Sequence, residues 1–329
     1  MRHVHWAGSA ALLSLSLTLF LVPTEGEPRL DGHRVEARPA VVHAEAVAAR
    51  AATGKAGRLP ADVLSARSAA LPPAAANSAG TPPAEARAVE AAPTRSILRI
   101  VDGAAFDTCE APEVATMQAW RASPYEALGI YVGGSNRGCA NKGLTRDWVS
   151  QVHAQGWEFM PIYVGAQAAC TVANKSNRID SARVADMAVT EADDAVARAT
   201  DLGFKRGSAL YFDMEEYDNT DRDCAGDVLD FVSAWSERVR SHGFTPGYYS
   251  SLSSGITDLV NAAGTRPLPD IVWYARWDDI AVTHGDGALP DNLWPGRRIK
   301  QHAGNVSETY EGITIKIDRN AINAPVGVL

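Results

Sequence analysis

The chain of 329 residues carries a net charge of −8 and is 46% hydrophobic and 21% charged. These proportions are typical of a soluble globular protein with a packed core. The acidic balance argues against a nucleic-acid-binding protein, which needs a basic face. The length accommodates one barrel domain together with an additional segment.

The first 26 residues predict an export signal. Arg2 and His3 precede residues 7–22, an uncharged run that is short for a membrane span. An uncleaved membrane anchor is the alternative. In either case we expect a secreted or extracellular protein, and association with the cell wall is one form of this hypothesis. Contact with the membrane is expected only through this N-terminal segment.

Residues 27–95 predict a disordered linker. The sequence contains no aromatic residue between Phe20 and Phe106, and Ala and Pro are abundant there. Such a segment buries too little apolar surface to offset the entropy of ordering it. The folded domain is therefore expected at residues 96–329, with 21 basic and 31 acidic residues, and we expect it to be a monomer.

The folded domain shows strands that alternate with helices. The predicted strands are residues 104–107, 128–133, 158–164, 209–215, 245–250, 271–277, 298–301 and 314–318. The predicted helices are residues 114–122, 145–155, 184–202, 227–242 and 255–263. This order predicts an α/β fold with a parallel sheet closed into a single (β/α)8 TIM-like barrel. An open doubly wound sheet is the alternative, but no Gly-rich phosphate loop follows any strand.

Four strands carry a tyrosine at a similar position, namely Tyr131, Tyr163, Tyr211 and Tyr249. Side chains alternate along a strand, so flanking aliphatic residues that face the helices would turn these tyrosines into the barrel lumen. There they would either fill the barrel or line a sugar site, because a sugar ring packs its C–H face on an aromatic ring.

Asp213 and Glu215 form the strongest chemical motif. They lie two residues apart at the end of a predicted strand, so both side chains are expected to point into the lumen at its catalytic end. Mutual repulsion and burial raise the pKa of at least one such carboxyl, and cleavage of a glycosidic bond needs a pair of this kind. The alternative is a solvated acidic loop, since several aspartates follow.

Asp107 and Asp318 end the first and last predicted strands. These strands are neighbours in a closed barrel, so all four acids are expected to converge on one pocket. A loop cap or a helix cap is the alternative for each outer acid. No set of histidines or cysteines has metal-ligand spacing, and we expect neither a metal nor a cofactor.

Four cysteines each follow a predicted strand. Neighbouring loops on one rim of the barrel reach each other, which favours the pairs Cys109–Cys139 and Cys170–Cys224. Disulfides fit an oxidising compartment outside the cytoplasm, and free buried thiols are the alternative.

At this point the chain resembles a known family. The segments that carry the resemblance are Phe-Asp-Thr-Cys-Glu-Ala-Pro at 106–112, Tyr-Val-Gly-Gly at 131–134, Tyr-Phe-Asp-Met-Glu at 211–215, Trp-Tyr-Ala-Arg-Trp at 273–277 and Gln-His-Ala-Gly at 301–304. They are similar to the secreted bacterial glycoside-hydrolase-like domain of unknown function, a TIM barrel related to family 25 lysozymes.

This resemblance implies a site formed by Asp107, Asp213, Glu215, Trp273, Gln301 and Asp318. It implies that Glu215 is the general acid and that Asp213 stabilises positive charge or positions a substrate amide. It also turns Trp273 inward, whereas the tyrosine pattern would turn Tyr274 inward, and the two alternatives stay open. The chain departs from the lysozymes at His302, where a tyrosine often stands.

Three functional hypotheses follow. The first is an exported glycoside hydrolase acting on cell-wall or extracellular polysaccharide, with peptidoglycan among its partners, through Glu215 and Asp213. The second is a catalytically silent barrel that binds cell-wall glycan. The third is a barrel phosphodiesterase, which ranks last because paired histidines and a metal set are missing from the sequence pattern.

Overall fold

The structure is a computed structural model in which residues 98–329 are described. The predicted export signal at residues 1–26 and the predicted linker at residues 27–95 lie outside the described residues. Within residues 98–329, no helix combines the length and the apolar character that crossing a membrane requires.

Eight strands close into a barrel, in chain order, which confirms the predicted barrel. The strands are β1 (Ile100–Asp107), β2 (Tyr125–Gly133), β3 (Glu158–Tyr163), β4 (Ala209–Asp213), β5 (Thr245–Ser251), β6 (Ile271–Ala275), β7 (Arg298–Tyr310) and β8 (Ile313–Pro325). The pairs from β1–β2 through β6–β7 are parallel. Their carboxyl ends therefore share one rim of the barrel.

Five α-helices lie between the first six strands. They are α1 (Val114–Ala119), α2 (Arg146–Ala154), α3 (Val184–Asp201), α4 (Arg222–Ser241) and α5 (Thr257–Asn261). Side-chain caps fix two of the starts, because Thr145 accepts the Trp148 N–H and Asp221 accepts the Cys224 N–H, each at 3.1 Å. The Asp221 cap explains why α4 begins five residues before the predicted start at residue 227.

The last strand corrects the prediction of a fully parallel sheet. β8 runs antiparallel to both β7 and β1. β7 and β8 form a long hairpin whose two turn residues, Glu311 and Gly312, both have positive φ, as the tight turns of hairpins require. A parallel connection needs a dozen or more residues, and the two extended strands leave only two between them.

The connection between β6 and β7 contains no helix and folds around two buried cations of β7. Arg298 donates to the carbonyl oxygens of Leu293 at 3.1 Å and Pro290 at 2.5 Å. Lys300 is completely buried and lies 2.9 Å from Asp278 and 2.8 Å from Asp286. These contacts take the place of the apolar helix face that covers the earlier strands.

The barrel lumen is packed with side chains rather than open. Tyr211, Trp273 and Tyr249 form a column of edge-to-face rings with centroids 5.5 Å apart. The Tyr211 hydroxyl donates to the Pro325 carbonyl at 2.6 Å. The C-terminal residues thereby close the end of the barrel opposite the rim.

We predict that Lys300→Met destabilises the protein by about 3–5 kcal/mol, because Asp278 and Asp286 are left without their buried counter-ion. Urea unfolding of the full chain measures the change. Lys205→Met, which removes a charge from an exposed lysine, is the matched control and is expected to change stability by less than about 0.5 kcal/mol. Equal stabilities for the two variants would contradict a structural role for this ion cluster.

Candidate functional site

Asp107 lies at the end of β1 with its carboxyl group buried inside the barrel. Its Oδ1 accepts hydrogen bonds from Asn320 at 2.7 Å and Gln301 at 3.2 Å, and its Oδ2 accepts one from the Tyr131 hydroxyl at 3.2 Å. Burial, followed by the negative charge of Asp318, raises the pKa of Asp107 to about 7, although the three hydrogen bonds oppose the shift.

Asp318 lies opposite Asp107 in the β1–β8 pair, inside β8 rather than at its predicted end. It still reaches the rim, because β8 enters the barrel from that side. Its Oδ1 accepts the N–H of Asn305 at 2.5 Å, and Asn305 has a φ of 60° at a bulge of β7. Burial and the charge of Glu215 raise the pKa of Asp318.

Asp213 is the last residue of β4 and is buried beneath the rim. Among residues 98–329, its Oδ1 has no hydrogen-bond partner. Burial raises its pKa well above the ordinary value, and the charges of Glu215 and Asp107 act in the same direction. This environment favours a neutral carboxylic acid.

Glu215 follows β4 and lies closer to solvent, with 35% of its side chain exposed and its Oε1 3.1 Å from Lys175 Nζ. Its backbone is fixed by Gln167, a buried residue that sequence reasoning missed. Gln167 donates to the Asp213 carbonyl at 2.7 Å and accepts the Glu215 N–H at 2.8 Å. One amide side chain therefore sets the positions of both acids.

A cavity of about 300 Å³ opens beside these acids at the rim. Its walls are formed by Glu215, Glu216, Tyr249, Ser251, Ala275 and Trp277. Trp277 is 59% exposed, and its indole N–H donates to Gln301 Oε1 at 3.0 Å. The cavity thus combines carboxylates with an exposed aromatic surface, as a sugar site would require.

Two of the four predicted tyrosines face the acids. Tyr131 donates to Asp107, and the Tyr249 hydroxyl donates to Gln301 Oε1 at 3.0 Å. Gln301 therefore links Tyr249 and Trp277 to Asp107 through its two amide ends. This network brings together residues from β1, β2, β5 and β7.

The other two tyrosines do not line the cavity, and the outward orientation of Tyr163 corrects the prediction. Tyr163 faces outward, where its hydroxyl donates to Asp194 of α3 at 2.9 Å. Every residue of β3 is buried, so its sequence shows no alternation from which the inward face could be read. Tyr211 does face the lumen, but it is completely buried and bonded to the opposite end of the barrel, away from the cavity.

The open question on β6 is resolved with Trp273 inward and Tyr274 outward. Trp273 is buried, and its indole N–H donates to Asn320 Oδ1 at 2.7 Å. It therefore orients Asn320 against Asp107 rather than offering a surface to a ligand. Asn320 is a further residue that sequence reasoning missed, although its position two residues after Asp318 on one strand face was a usable signal.

Both predicted disulfides are present. Cys109–Cys139 joins the loops after β1 and β2 with Cα atoms 5.7 Å apart, and Cys170–Cys224 joins the loop after β3 to the first turn of α4 with Cα atoms 6.2 Å apart. Each bond fixes neighbouring loops at the rim that carries the acids.

His302 does not join the acids. It lines a separate cavity of about 550 Å³ on the side of β1 and β8, together with Arg319 and His284. Burial lowers the pKa of His302. In the part of the chain from residue 98 onward, no group of three or more His, Cys, Asp or Glu side chains is arranged to hold a metal ion.

Comparison with known proteins identifies one family. The model of the Rv2525c-like, glycoside hydrolase-like domain matches residues 118–322. No curated protein matches the chain.

Solved structures with a similar fold include three bacterial or phage proteins. An uncharacterized B. stearothermophilus protein has a TM-score of 0.43 and 19% identity, covering 67% of this chain and 95% of that one. The catalytic domain of endolysin ply40 from bacteriophage P40 of Listeria monocytogenes has a TM-score of 0.42 and 14% identity, with coverages of 68% and 93%. A family 25 glycosyl hydrolase from Bacillus anthracis has a TM-score of 0.41 and 12% identity, with coverages of 70% and 94%. At these values the matches carry no weight for the activity of this chain.

We predict that Asp107→Asn gains stability relative to the wild type as the pH rises from 5 to 8. The folded state raises the pKa of Asp107 from 3.8 to about 7, so the wild type loses stability as the pH rises through this interval. The asparagine does not titrate, and the difference is expected to grow by about 2 kcal/mol.

Urea unfolding at both pH values measures this difference. Asp102→Asn, on an exposed position of the same strand, is the control and is expected to show no such trend. A difference between Asp107→Asn and the wild type that stays constant from pH 5 to pH 8 would contradict the raised pKa.

Proposed function

The chain belongs to the Rv2525c-like glycoside hydrolase-like domain family, and we propose that it is an exported glycoside hydrolase acting on cell-wall or extracellular polysaccharide, peptidoglycan included. The observation that carries this proposal is the pair Asp213 and Glu215. The two carboxyl groups leave the same strand end, yet one is buried and the other lines an open cavity. Different environments for two neighbouring acids allow the two to take different roles in one reaction.

Glu215 is the proposed general acid, because it is the acid of the pair that lines the cavity. In this role it protonates the oxygen of the leaving sugar. Asp213 is proposed to hold the substrate. A neutral carboxylic acid carries an O–H donor, which suits the carbonyl oxygen of a substrate amide better than a developing positive charge.

Asp107 and Asp318 are proposed to tune this pair. Asp107 raises the pKa of Asp213, and the charges of Asp318 and Glu215 interact. Tyr249 and Trp277 line the cavity and are proposed to contact the sugar rings. Tyr131 and Gln301 are proposed to act through their hydrogen bonds to Asp107.

Export is supported by two observations. The chain contains two disulfides, and disulfides persist in oxidising compartments rather than in the cytoplasm. The sequence of residues 1–26 also has the pattern of a secretory signal.

A catalytically silent glycan-binding barrel is the second candidate, and one contact favours it. The Lys175 ammonium group lies 3.1 Å from Glu215 Oε1, whereas a general acid has to be free to contact the glycosidic oxygen. The same cavity would then bind a glycan without cleaving it.

We predict that Glu215→Gln lowers the rate of reducing-end release from peptidoglycan or a neutral polysaccharide by at least about 100-fold, because an amide cannot donate the proton. Asp223→Asn, an exposed acid in the first turn of α4, is the matched control and is expected to keep the wild-type rate. Equal rates for wild type and Glu215→Gln would exclude Glu215 as the acid. Binding of insoluble wall material without turnover by either protein would favour the silent barrel.

We predict that Trp277→Ala raises the KM for the glycan about tenfold, equivalent to about 1.4 kcal/mol of binding, and changes kcat much less. The loss comes from the exposed ring face, so Trp277→Phe, which keeps a ring but loses the N–H, is expected to retain most of the affinity. Steady-state kinetics on soluble oligosaccharides measures both values. A KM unchanged by the alanine variant would remove Trp277 from the binding surface.

A further inference from the structure

A lysine lies among the acids of the candidate site. Lys175 Nζ is 3.1 Å from Glu215 Oε1 and 3.4 Å from the Asn136 carbonyl oxygen. Only 19% of its side chain is exposed. Sequence reasoning missed this residue, because it belongs to the loop after β3 and not to a strand end.

The loop holds Lys175 in place by several independent contacts. The buried Asn136 side chain donates to the Gly165 and Asn177 carbonyls at 2.9 and 2.7 Å. Its Oδ1 accepts the N–H groups of Ser176 and Asn177 at 3.1 and 3.3 Å. The Cys170–Cys224 bond ties the same loop to α4. Lys175 is therefore a fixed part of the site and not a freely moving surface side chain.

The charge around Lys175 is less negative than a count of acids indicates. Burial favours the neutral form of Asp213, and it raises the pKa of Asp107 to about 7. The titratable and charged groups around Glu215 are Lys175, Asp213, Glu216, Tyr249 and Asp318. Asp107, Tyr131 and Lys316 interact with Asp213 or Asp318. Lys175 therefore lies beside Glu215, which is one of the two carboxylates that line the cavity, the other being Glu216.

We propose that Lys175 recognises a carboxylate group carried by the glycan. When the glycan binds, Lys175 leaves Glu215 and pairs with the substrate carboxylate instead. The inference rests on the proposed function, since it assigns the substrate class of the same site. A compact ammonium group with three donors suits a single carboxylate. The residue that selects the acidic glycan is thus the same lysine that forms an ion pair with the general acid in the free protein.

The exchange also frees the acid. Once the substrate carboxylate pairs with Lys175, the Glu215 carboxyl group is no longer held by the lysine. In its protonated form Glu215 gives its proton to the glycosidic oxygen as the bond from this oxygen to the sugar carbon breaks. The leaving sugar departs as an alcohol, a water molecule adds to the sugar carbon and gives a proton to the solvent, and Glu215 is left as a carboxylate.

Two forms of one polysaccharide test the proposal: the native form with its carboxylates, and the same material after its carboxylates are reduced to alcohols. We expect the wild type to hydrolyse the native form with at least about a tenfold higher kcat/KM, because only the native form makes a charge-assisted hydrogen bond to Lys175. Lys175→Met is expected to lose the preference, and Lys175→Arg to keep it.

Lys205→Met is the matched control, because this exposed lysine lies beside the C-terminal residues at the closed end of the barrel. It is expected to show the wild-type preference. An undiminished preference in Lys175→Met, or a wild type that hydrolyses both forms equally, would overturn the proposal. Thermal unfolding of each variant confirms that it is folded.

A binding measurement separates this proposal from the proposed hydrolase activity. Glu215→Gln removes the counter-ion of Lys175, so it is expected to bind a carboxylated oligosaccharide about tenfold more tightly than the wild type does. Glu215→Gln combined with Lys175→Met is expected to lose this gain. Calorimetry with native and reduced oligosaccharides gives both values without turnover. Equal affinity of Glu215→Gln for the two forms would overturn the role of Lys175, even if the wild type hydrolyses the glycan. A gain in affinity confined to the native form would support this role, even if no hydrolysis is observed.

Discussion

A carboxyl group inside a packed barrel is stable only when neighbouring groups compensate its charge or allow it to be neutral. Asp107 meets this constraint with three neutral donors, Asn320, Gln301 and Tyr131, which come from β8, β7 and β2. These donors compensate the burial only in part, because the pKa of Asp107 still rises to about 7. The hydrogen bonds that connect β1 to β2, β7 and β8 inside the lumen therefore also influence the pKa of Asp107.

The direction of β8 makes this arrangement possible. Because β8 enters from the rim, Asp318 and Asn320 lie on successive inward positions beside Asp107, with Asp318 nearer the rim and Asn320 deeper. Trp273, two strands away on β6, then orients Asn320. The hairpin also places the bulge at Asn305 where its N–H reaches Asp318. The antiparallel strand thus places two polar side chains at successive depths beside Asp107.

The sequence was sufficient to predict the order of the eight strands and both disulfides, because strands and rim loops follow strong local patterns. It did not predict the antiparallel direction of β8 or the length of β7 and β8, which placed Asp318 inside its strand rather than at its end. The facing direction of Tyr131 and Tyr249 was also predictable from alternation. Tyr163 was not, because β3 is buried on both faces and its sequence does not alternate. Gln167 and Lys175 were missed for a different reason. Their roles depend on loops folded against β4, and their partners lie 40 or more residues away in the chain.

The depth of each acid explains how two carboxyl groups on one short segment acquire different chemistry. Gln167 forms hydrogen bonds to the backbone of both Asp213 and Glu215. The main chain is therefore held in place and does not move to reduce the repulsion between the two carboxyl groups. Burial and this repulsion raise the pKa of Asp213, whose Oδ1 has no partner among residues 98–329. Glu215 lies nearer to solvent and pairs with Lys175. The two carboxyl groups therefore differ in depth and in partner, and this difference follows from the backbone positions that Gln167 holds.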